Sequence, residues 1–179
     1  MSAIASSRTD REHLSGPIAV GVDGSPASRR ALEWAVQEAA AKGTKVLAIS
    51  TYEVPSLVSA APYAAWSPAL KEDLADEAQK VLFSLVKATA ETHPEVEIDA
   101  QVVEGPAAHV LIEASKHASA LVVGSRGHGG MVGALLGSVS HRCVAHAHCP
   151  VVVVGPGSPV EEAPVLAAAR SAGVNWCPP

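Results

Sequence analysis

Short apolar runs alternate with longer amphipathic segments through the middle of the chain. The first run, residues 18–22, is followed by a segment in which Leu32, Ala35, Val36 and Ala39 recur on one helical face. The same pattern continues and predicts strands at residues 18–22, 45–51, 96–103, 121–124 and 151–154. It predicts helices at residues 27–42, 69–91, 107–117 and 138–147, with Pro68 at the start of the second helix.

This alternation of strands and helices indicates an α/β fold. We expect a single doubly wound domain, Rossmann-like or flavodoxin-like, with a five-stranded parallel sheet and helices on both faces. The domain should occupy residues 17–155, between a flexible N-terminal tail (1–16) and a flexible Pro- and Ala-rich C-terminal tail (156–179). Residues 52–68 contain three prolines and are expected to form a long irregular loop.

Composition narrows the classes of function. With 48% hydrophobic residues among 179, the chain is able to bury the core of one domain. A net charge of −5 with scattered Lys and Arg provides no basic face, so nucleic-acid binding is not expected as the main activity. Three cysteines without a CxxC pair argue against a disulfide framework and favour a reducing cytoplasm. Residues 1–15 lack a continuous apolar core, so neither a signal peptide nor an anchor is expected there. No stretch approaches the ~20 apolar residues that a membrane helix requires.

Two glycine-containing segments follow the fourth predicted strand. Residues 124–127 read Gly-Ser-Arg-Gly, and residues 137–140 read Gly-Ser-Val-Ser at the start of the last helix. Glycines let backbone N–H groups approach phosphate oxygens, and a helix N-terminus favours an anion, so these segments are expected to hold a phosphate chain. We expect Ser138 or Ser140 to cap the helix. The spacing fits neither the Walker motif nor the dinucleotide fingerprint, and the glycines by themselves are also compatible with a simple turn.

These segments resemble the universal stress protein family. The resemblance is carried by residues 20–25 (VGVDGS), 122–130 (VVGSRGHGG), 135–140 (LLGSVS) and 149–151 (CPV), and it covers about residues 18–155. It includes the spacing Gly-x2-Gly-x9-Gly-Ser, which is the signature of the ATP-binding branch of that family. The resemblance implies a protein that binds ATP, with Mg²⁺, and acts through nucleotide occupancy and choice of partner, with at most weak ATP hydrolysis.

The resemblance also implies which residues contact the nucleotide. Asp23 and the backbone near Thr51 would face the adenine and the ribose. Gly124, Arg126 and Gly127 would line the first part of the phosphate path. The phosphates themselves would be bound by Gly137, Ser138, Val139 and Ser140.

The last predicted strand indicates a partner chain. It consists of Val151, Val152, Val153 and Val154. A short, entirely apolar strand at the edge of a sheet is an aggregation hazard unless another chain pairs with it. We therefore expect a homodimer through this strand, as the resemblance also implies; burial of the same run by helices in a monomer is the alternative.

Other interpretations of the candidate site stay open. An Asp after a first strand often only folds a turn, here with Gly24 and Ser25, and Arg126 could be a solvated surface cation. The same site would also suit an enzyme that slowly hydrolyses ATP or transfers its phosphate, with Arg126 or His128 stabilising the departing group. A third possibility is an interaction scaffold that binds cyclic AMP or no nucleotide.

A cluster of metal-capable side chains lies near the C-terminal end of the predicted domain. It comprises His141, Cys143, His146, His148 and Cys149. Zinc requires four ligands at one point, but on a helix Cys143 and His146 face one way while His141 and His148 share a different face. We therefore expect packing and exposed imidazoles here, and no metal site.

Overall fold

The computed structural model describes residues 16–54, 68–127 and 136–155. Within these residues the predicted alternation is confirmed, and α2 begins at Pro68 as expected. The elements in chain order are β1 (Ile18–Gly21), α1 (Pro26–Lys42), β2 (Val46–Tyr52), α2 (Pro68–Thr92), β3 (Ile98–Glu104), α3 (Ala107–Ala114), β4 (Ala120–Gly124), α4 (Ser138–His146) and β5 (Val151–Val154). The predicted tails, apart from residue 16, and most of the predicted loop lie outside the described residues.

The largest difference from the predicted boundaries is at the end of α3. This helix ends at Ala114, whereas the apolar spacing predicts residue 117. The hydroxyl of Ser115 donates to the carbonyl of Ile112 at 2.6 Å and accepts the backbone N–H of His148 at 2.9 Å. Side-chain hydrogen bonds of this kind compete with the helical backbone pattern, and they explain the early end of the helix.

All five strands form one parallel sheet in the order β3-β2-β1-β4-β5. The chain first builds outward from β1 through β2 to β3, and then returns to the other side of β1 to add β4 and β5. The strand order therefore reverses between β1 and β4. In open parallel sheets a ligand crevice forms at such a point, beyond the carboxyl ends of the strands. Among these strands, β3 and β5 lie at the edges.

A hydrophobic core lies on each face of the sheet. On one face the strands pack beneath α1 and α2, around the fully buried side chains of Leu32 and Leu82. On the other face they pack beneath α3 and α4, around Leu111 and Cys143. This division follows from the period-two alternation of strand side chains, which sends Val20 to the first core and Ala19 to the second. The doubly wound fold predicted from the sequence is thereby confirmed.

Candidate functional site

A cavity of about 490 Å³ opens beyond the carboxyl ends of β1, β2 and β4, where the strand order reverses. Its size is within the range of about 300–1,000 Å³ that is typical of small-molecule sites. The structure brings the nine residues assigned to the nucleotide site to its wall, from strand ends, a loop and the start of α4, whereas His128 lies outside the described residues. The nine residues are Asp23, Thr51, Gly124, Arg126, Gly127, Gly137, Ser138, Val139 and Ser140.

Asp23 folds the turn between β1 and α1. Its Oδ1 accepts the N–H of Ser25 at 3.0 Å, and its own N–H donates to the hydroxyl of Ser28 at 3.3 Å. Ser25 is the N-cap of α1, and its hydroxyl accepts the N–H of Ser28 at 3.2 Å. The turn-forming role considered for Asp23 is therefore real. It coexists with a place on the cavity wall, and it means that the chain itself caps the N-terminus of α1.

Two glycines allow the chain segments around the cavity to approach one another closely. A Cβ at Gly124 would lie 2.9 Å from the Cβ of Ala27, so β4 and the start of α1 pack together only because no side chain is present. A Cβ at Gly127 would overlap Oδ2 of Asp23. These contacts bring the end of β4 against the β1–α1 turn and close one side of the cavity.

The N-terminus of α4 opens onto the same cavity. Its N-cap is Gly137, which has no side chain to cap the helix, and no other side chain among the described residues makes a capping hydrogen bond there. The prediction that Ser138 or Ser140 caps this helix is therefore wrong. The reason is that the helix begins at Ser138, so both serines lie inside its first turn. The hydroxyl of Ser140 is buried and donates to the carbonyl of Ser125 at 2.9 Å, with the carbonyl of Gly137 also within reach at 3.1 Å.

Ser125 joins the start of α4 to the sheet. Besides the hydroxyl of Ser140, its carbonyl accepts the N–H of Gly137 at 2.7 Å. The N–H of Ser125 donates to the carbonyl of Val154, the last residue of β5, also at 2.7 Å. The first turn of α4 is thus held in a fixed position relative to the ends of β4 and β5.

Arg126 provides the positive charge of the cavity. Among the lining residues that the structure describes, it is the only Lys or Arg, and Asp23 is the only carboxylate. The Nε atom of Arg126 is buried and has no hydrogen-bond partner within the described part of the chain. A buried N–H without an acceptor is costly, so the guanidinium is well suited to an anionic ligand.

The remaining wall of the cavity is apolar and lies on the side of the second core. Ile49, Ala107, Leu111 and Val123 line it. The sequence predicts Leu111 only as a position on the apolar side of a helix, and Ala107 only as the first residue of that helix. No signal in the sequence distinguishes an apolar side chain that faces a cavity from one that faces the core, because the periodicity of the pattern is the same.

The cysteine and histidine cluster does not gather around one point. Cys143 is fully buried in the second core, and burial raises the pKa of its thiol from 9.0 to about 11. His141, His146 and His148 are exposed. Within residues 16–54, 68–127 and 136–155, no group of three His, Cys, Asp or Glu side chains is arranged to hold a metal ion. Over the same residues, no helix has both the length and the apolar character that crossing a membrane requires.

The curated proteins that the chain resembles include universal stress proteins of mycobacteria. The chain is 35% identical over 141 residues to a universal stress protein of Mycolicibacterium smegmatis, which covers 78% of this chain and 46% of the relative. The chain spans about half the length of the curated relatives it matches.

Solved structures of the same kind share the fold. A universal stress protein in complex with cAMP matches with a TM-score of 0.55 at 26% identity, covering 78% of this chain and 96% of that one. A universal stress protein family protein of Arabidopsis thaliana with AMP bound matches with a TM-score of 0.53 at 23% identity, covering 80% and 95% of the two chains. A family model described as the universal stress protein family matches residues 15–155. The chain therefore belongs to the universal stress protein family.

Proposed function

We propose that this protein binds an adenine nucleotide, ATP with Mg²⁺, in the cavity at the carboxyl ends of β1, β2 and β4. The protein would be cytoplasmic, and occupancy of its site by the nucleotide would regulate its conformation and its choice of partner. The observation that carries the proposal is the uncapped N-terminus of α4, which opens onto the cavity beside the unpartnered Nε of Arg126. A helix N-terminus and a guanidinium both favour phosphate oxygens.

The N-termini of α1 and α4 both lie at the cavity, and the difference between them supports placing the phosphates at α4. At α1, the hydroxyl of Ser25 already accepts the N–H of Ser28 in the first turn, and Asp23 accepts the N–H of the N-cap residue Ser25, so that end is occupied by the chain's own side chains. At α4 no side chain among residues 16–54, 68–127 and 136–155 does so. Phosphates are therefore expected at the N–H groups of Ser138 and Val139, with the hydroxyl of Ser138 within the same first turn.

Gly137 gives further support. Its φ of −75° is available to any residue, and a Cβ there would meet its nearest protein neighbours at 3.5 Å, an ordinary contact. Neither the backbone nor packing against the residues that the structure describes requires glycine at this position. Glycine is preferred over alanine at an N-cap, and close approach of a ligand to the backbone is a second physical reason for glycine at this position.

The spacing between strands indicates where the ribose and the base of the nucleotide would lie. Neighbouring strands lie about 4.8 Å apart, so the ends of β4 and β2 are about 10 Å from each other, with β1 between them. A nucleotide with its phosphate at α4 would cross the end of β1 near Asp23 and bring its base to the end of β2. Asp23, as a carboxylate, is suited to accept ribose hydroxyls.

The end of β2 offers backbone groups to such a base. The β1–β2 ladder stops with Gly21 opposite Ile49, and the N–H of Val22 donates to the carbonyl of Ile49 at 2.8 Å. Successive residues of a parallel strand bond to opposite neighbours, so Ile49 and Thr51 both direct backbone groups toward β1. Thr51 lies two residues beyond the last pair, where a base edge is able to reach its N–H and carbonyl.

Cyclic AMP is a second candidate ligand, favoured by the similar universal stress protein solved in complex with cAMP at 26% identity. Its cyclic phosphate carries a single negative charge. It would need fewer N–H donors at α4 than a triphosphate and no Mg²⁺. The same cavity wall serves either ligand, so a direct comparison of affinities decides between them.

The first experiment is a thermal melt with ATP, ATP–Mg²⁺, AMP and cyclic AMP. A ligand at about 100 times its dissociation constant stabilises by roughly 2.7 kcal/mol, which raises the melting temperature measurably. Ser138→Ala should reduce the shift, whereas Ser84→Ala, an exposed helical serine on α2, should not. If none of these nucleotides shifts the melt, the scaffold interpretation takes the place of this proposal. Phosphate release from ATP, measured on the same samples, separates occupancy from slow hydrolysis.

A further inference from the structure

Most hydroxyl groups on the cavity wall are already used by the protein. The lining residues with hydroxyls are Ser25, Ser28, Thr51, Ser138 and Ser140. Those of Ser25 and Ser28 hold the β1–α1 turn, and that of Ser140 holds the start of α4. Within the described part of the chain, Thr51 and Ser138 make no side-chain hydrogen bond. Among the lining residues that the structure describes, these two hydroxyls are therefore the ones available to a ligand.

The two hydroxyls lie at opposite ends of the cavity. Ser138 is at the N-terminus of α4, where the phosphate is expected, whereas Thr51 is at the carboxyl end of β2, two strands from β4. Strand alternation puts the side chain of Thr51 on the same face as Ile49, which belongs to the second core together with Leu111. Thr51 therefore carries a hydroxyl next to a wall that is otherwise aliphatic.

We propose that the hydroxyl of Thr51 hydrogen-bonds the nucleobase of the bound nucleotide and makes Thr51 a base-specificity residue. The inference rests on the proposed nucleotide binding and adds a side-chain contact to the backbone groups at the end of β2. A threonine hydroxyl both donates and accepts, so it is suited to a base edge that carries an amino group or a ring nitrogen. In a mainly apolar slot such a contact discriminates strongly, because a base without the matching group leaves the hydroxyl unpaired.

The alternative is that Thr51 is only a β-branched strand residue that fills space. Valine has nearly the same shape as threonine and is equally suited to a strand. Replacement of Thr51 by valine therefore removes the hydroxyl while it keeps the packing, and the variant is expected to fold. Thr51→Ser makes the opposite change, since it keeps the hydroxyl and removes the methyl group.

The experiment measures binding of AMP and of ribose 5-phosphate, which lacks the base, by NMR titration of the full chain. Thr51→Val should weaken AMP binding by about three- to tenfold, the usual worth of one hydrogen bond, and leave ribose 5-phosphate within about twofold. Thr51→Ser should restore AMP binding to within about twofold. Thr92→Val, at the exposed end of α2, is the matched control and should change neither ligand.

The outcomes separate this inference from the proposed function. If the wild-type chain binds AMP and Thr51→Val binds it equally well, the hydroxyl does not contact the base and only this inference fails. An equal loss for AMP and ribose 5-phosphate also overturns it, because the residue would then act on the site as a whole. If the wild-type chain binds none of AMP, ATP and cyclic AMP, both proposals fail together.

Discussion

The unpartnered Nε of Arg126 predicts that replacing this residue stabilises the ligand-free protein but weakens nucleotide binding. Replacement by methionine keeps most of the apolar stem but removes every N–H of the guanidinium. A buried donor without an acceptor costs about 1–3 kcal/mol, so Arg126→Met should stabilise the ligand-free protein by about 1 kcal/mol or more. For a chain of this size, 1 kcal/mol corresponds to a rise of about 2–4 °C in melting temperature.

The same replacement should weaken nucleotide binding. A hydrogen bond from a charged donor to phosphate is worth about 1.5–3 kcal/mol, which corresponds to a loss of about 10- to 150-fold in affinity. Thermal melts with and without ATP measure both effects on one sample, and titration calorimetry gives the affinity. Arg142→Met, on the exposed side of α4, is the control and should change neither quantity. A lower melting temperature without ligand, combined with unchanged ATP affinity, would refute the reasoning.

Three further predictions concern α4, β5 and the second core. Gly137→Ala should lower the free energy of unfolding of the ligand-free protein by about 1 kcal/mol or less, because alanine is a poorer N-cap. It should also strongly reduce the rise in melting temperature that ATP produces, because the added methyl group would stand where the ligand approaches the backbone. Equal ATP-induced rises in the wild type and the variant would contradict that approach. Val152→Lys should convert the proposed homodimer to a monomer in sedimentation velocity, with a melt to check folding, and an unchanged sedimentation coefficient would exclude pairing through β5. Burial raises the pKa of Cys143 from 9.0 to about 11, so the protonated thiol stabilises the folded state fully below pH 9 and this contribution declines as the pH rises through 11. Alkylation at pH 8, followed by mass spectrometry, should therefore leave Cys143 unmodified in the folded protein and modify it after denaturation.

The fold was predictable because its elements have strong and consistent periodicity. Leu32, Ala35, Val36 and Ala39 recur at helical spacing, and all are buried in the first core. Short apolar runs between such helices leave few arrangements other than a parallel sheet covered on both faces. The end of α3 was not predictable, because the hydrogen bonds of Ser115 involve a residue as distant as His148.

The candidate site was predictable only where the residue type itself has a special property. Glycines and serines around β4 and α4 attract attention because they expose N–H and hydroxyl groups. The prediction that Ser138 or Ser140 caps α4 was wrong, because whether a serine caps a helix depends on which residue begins the helix. Leu111 gave no signal at all, because its apolar character is equally consistent with a core position.

The position of Ser125 has a consequence for how such a protein would respond to its surroundings. Its carbonyl holds the first turn of α4, and its N–H holds the last residue of β5. A nucleotide at α4 and a second chain paired with β5 would act on the two adjacent peptide groups of this one residue. Coupling between two binding events is reciprocal, so any factor by which pairing tightens nucleotide binding is the factor by which nucleotide tightens pairing. The cellular level of the nucleotide would then determine what fraction of the protein is assembled.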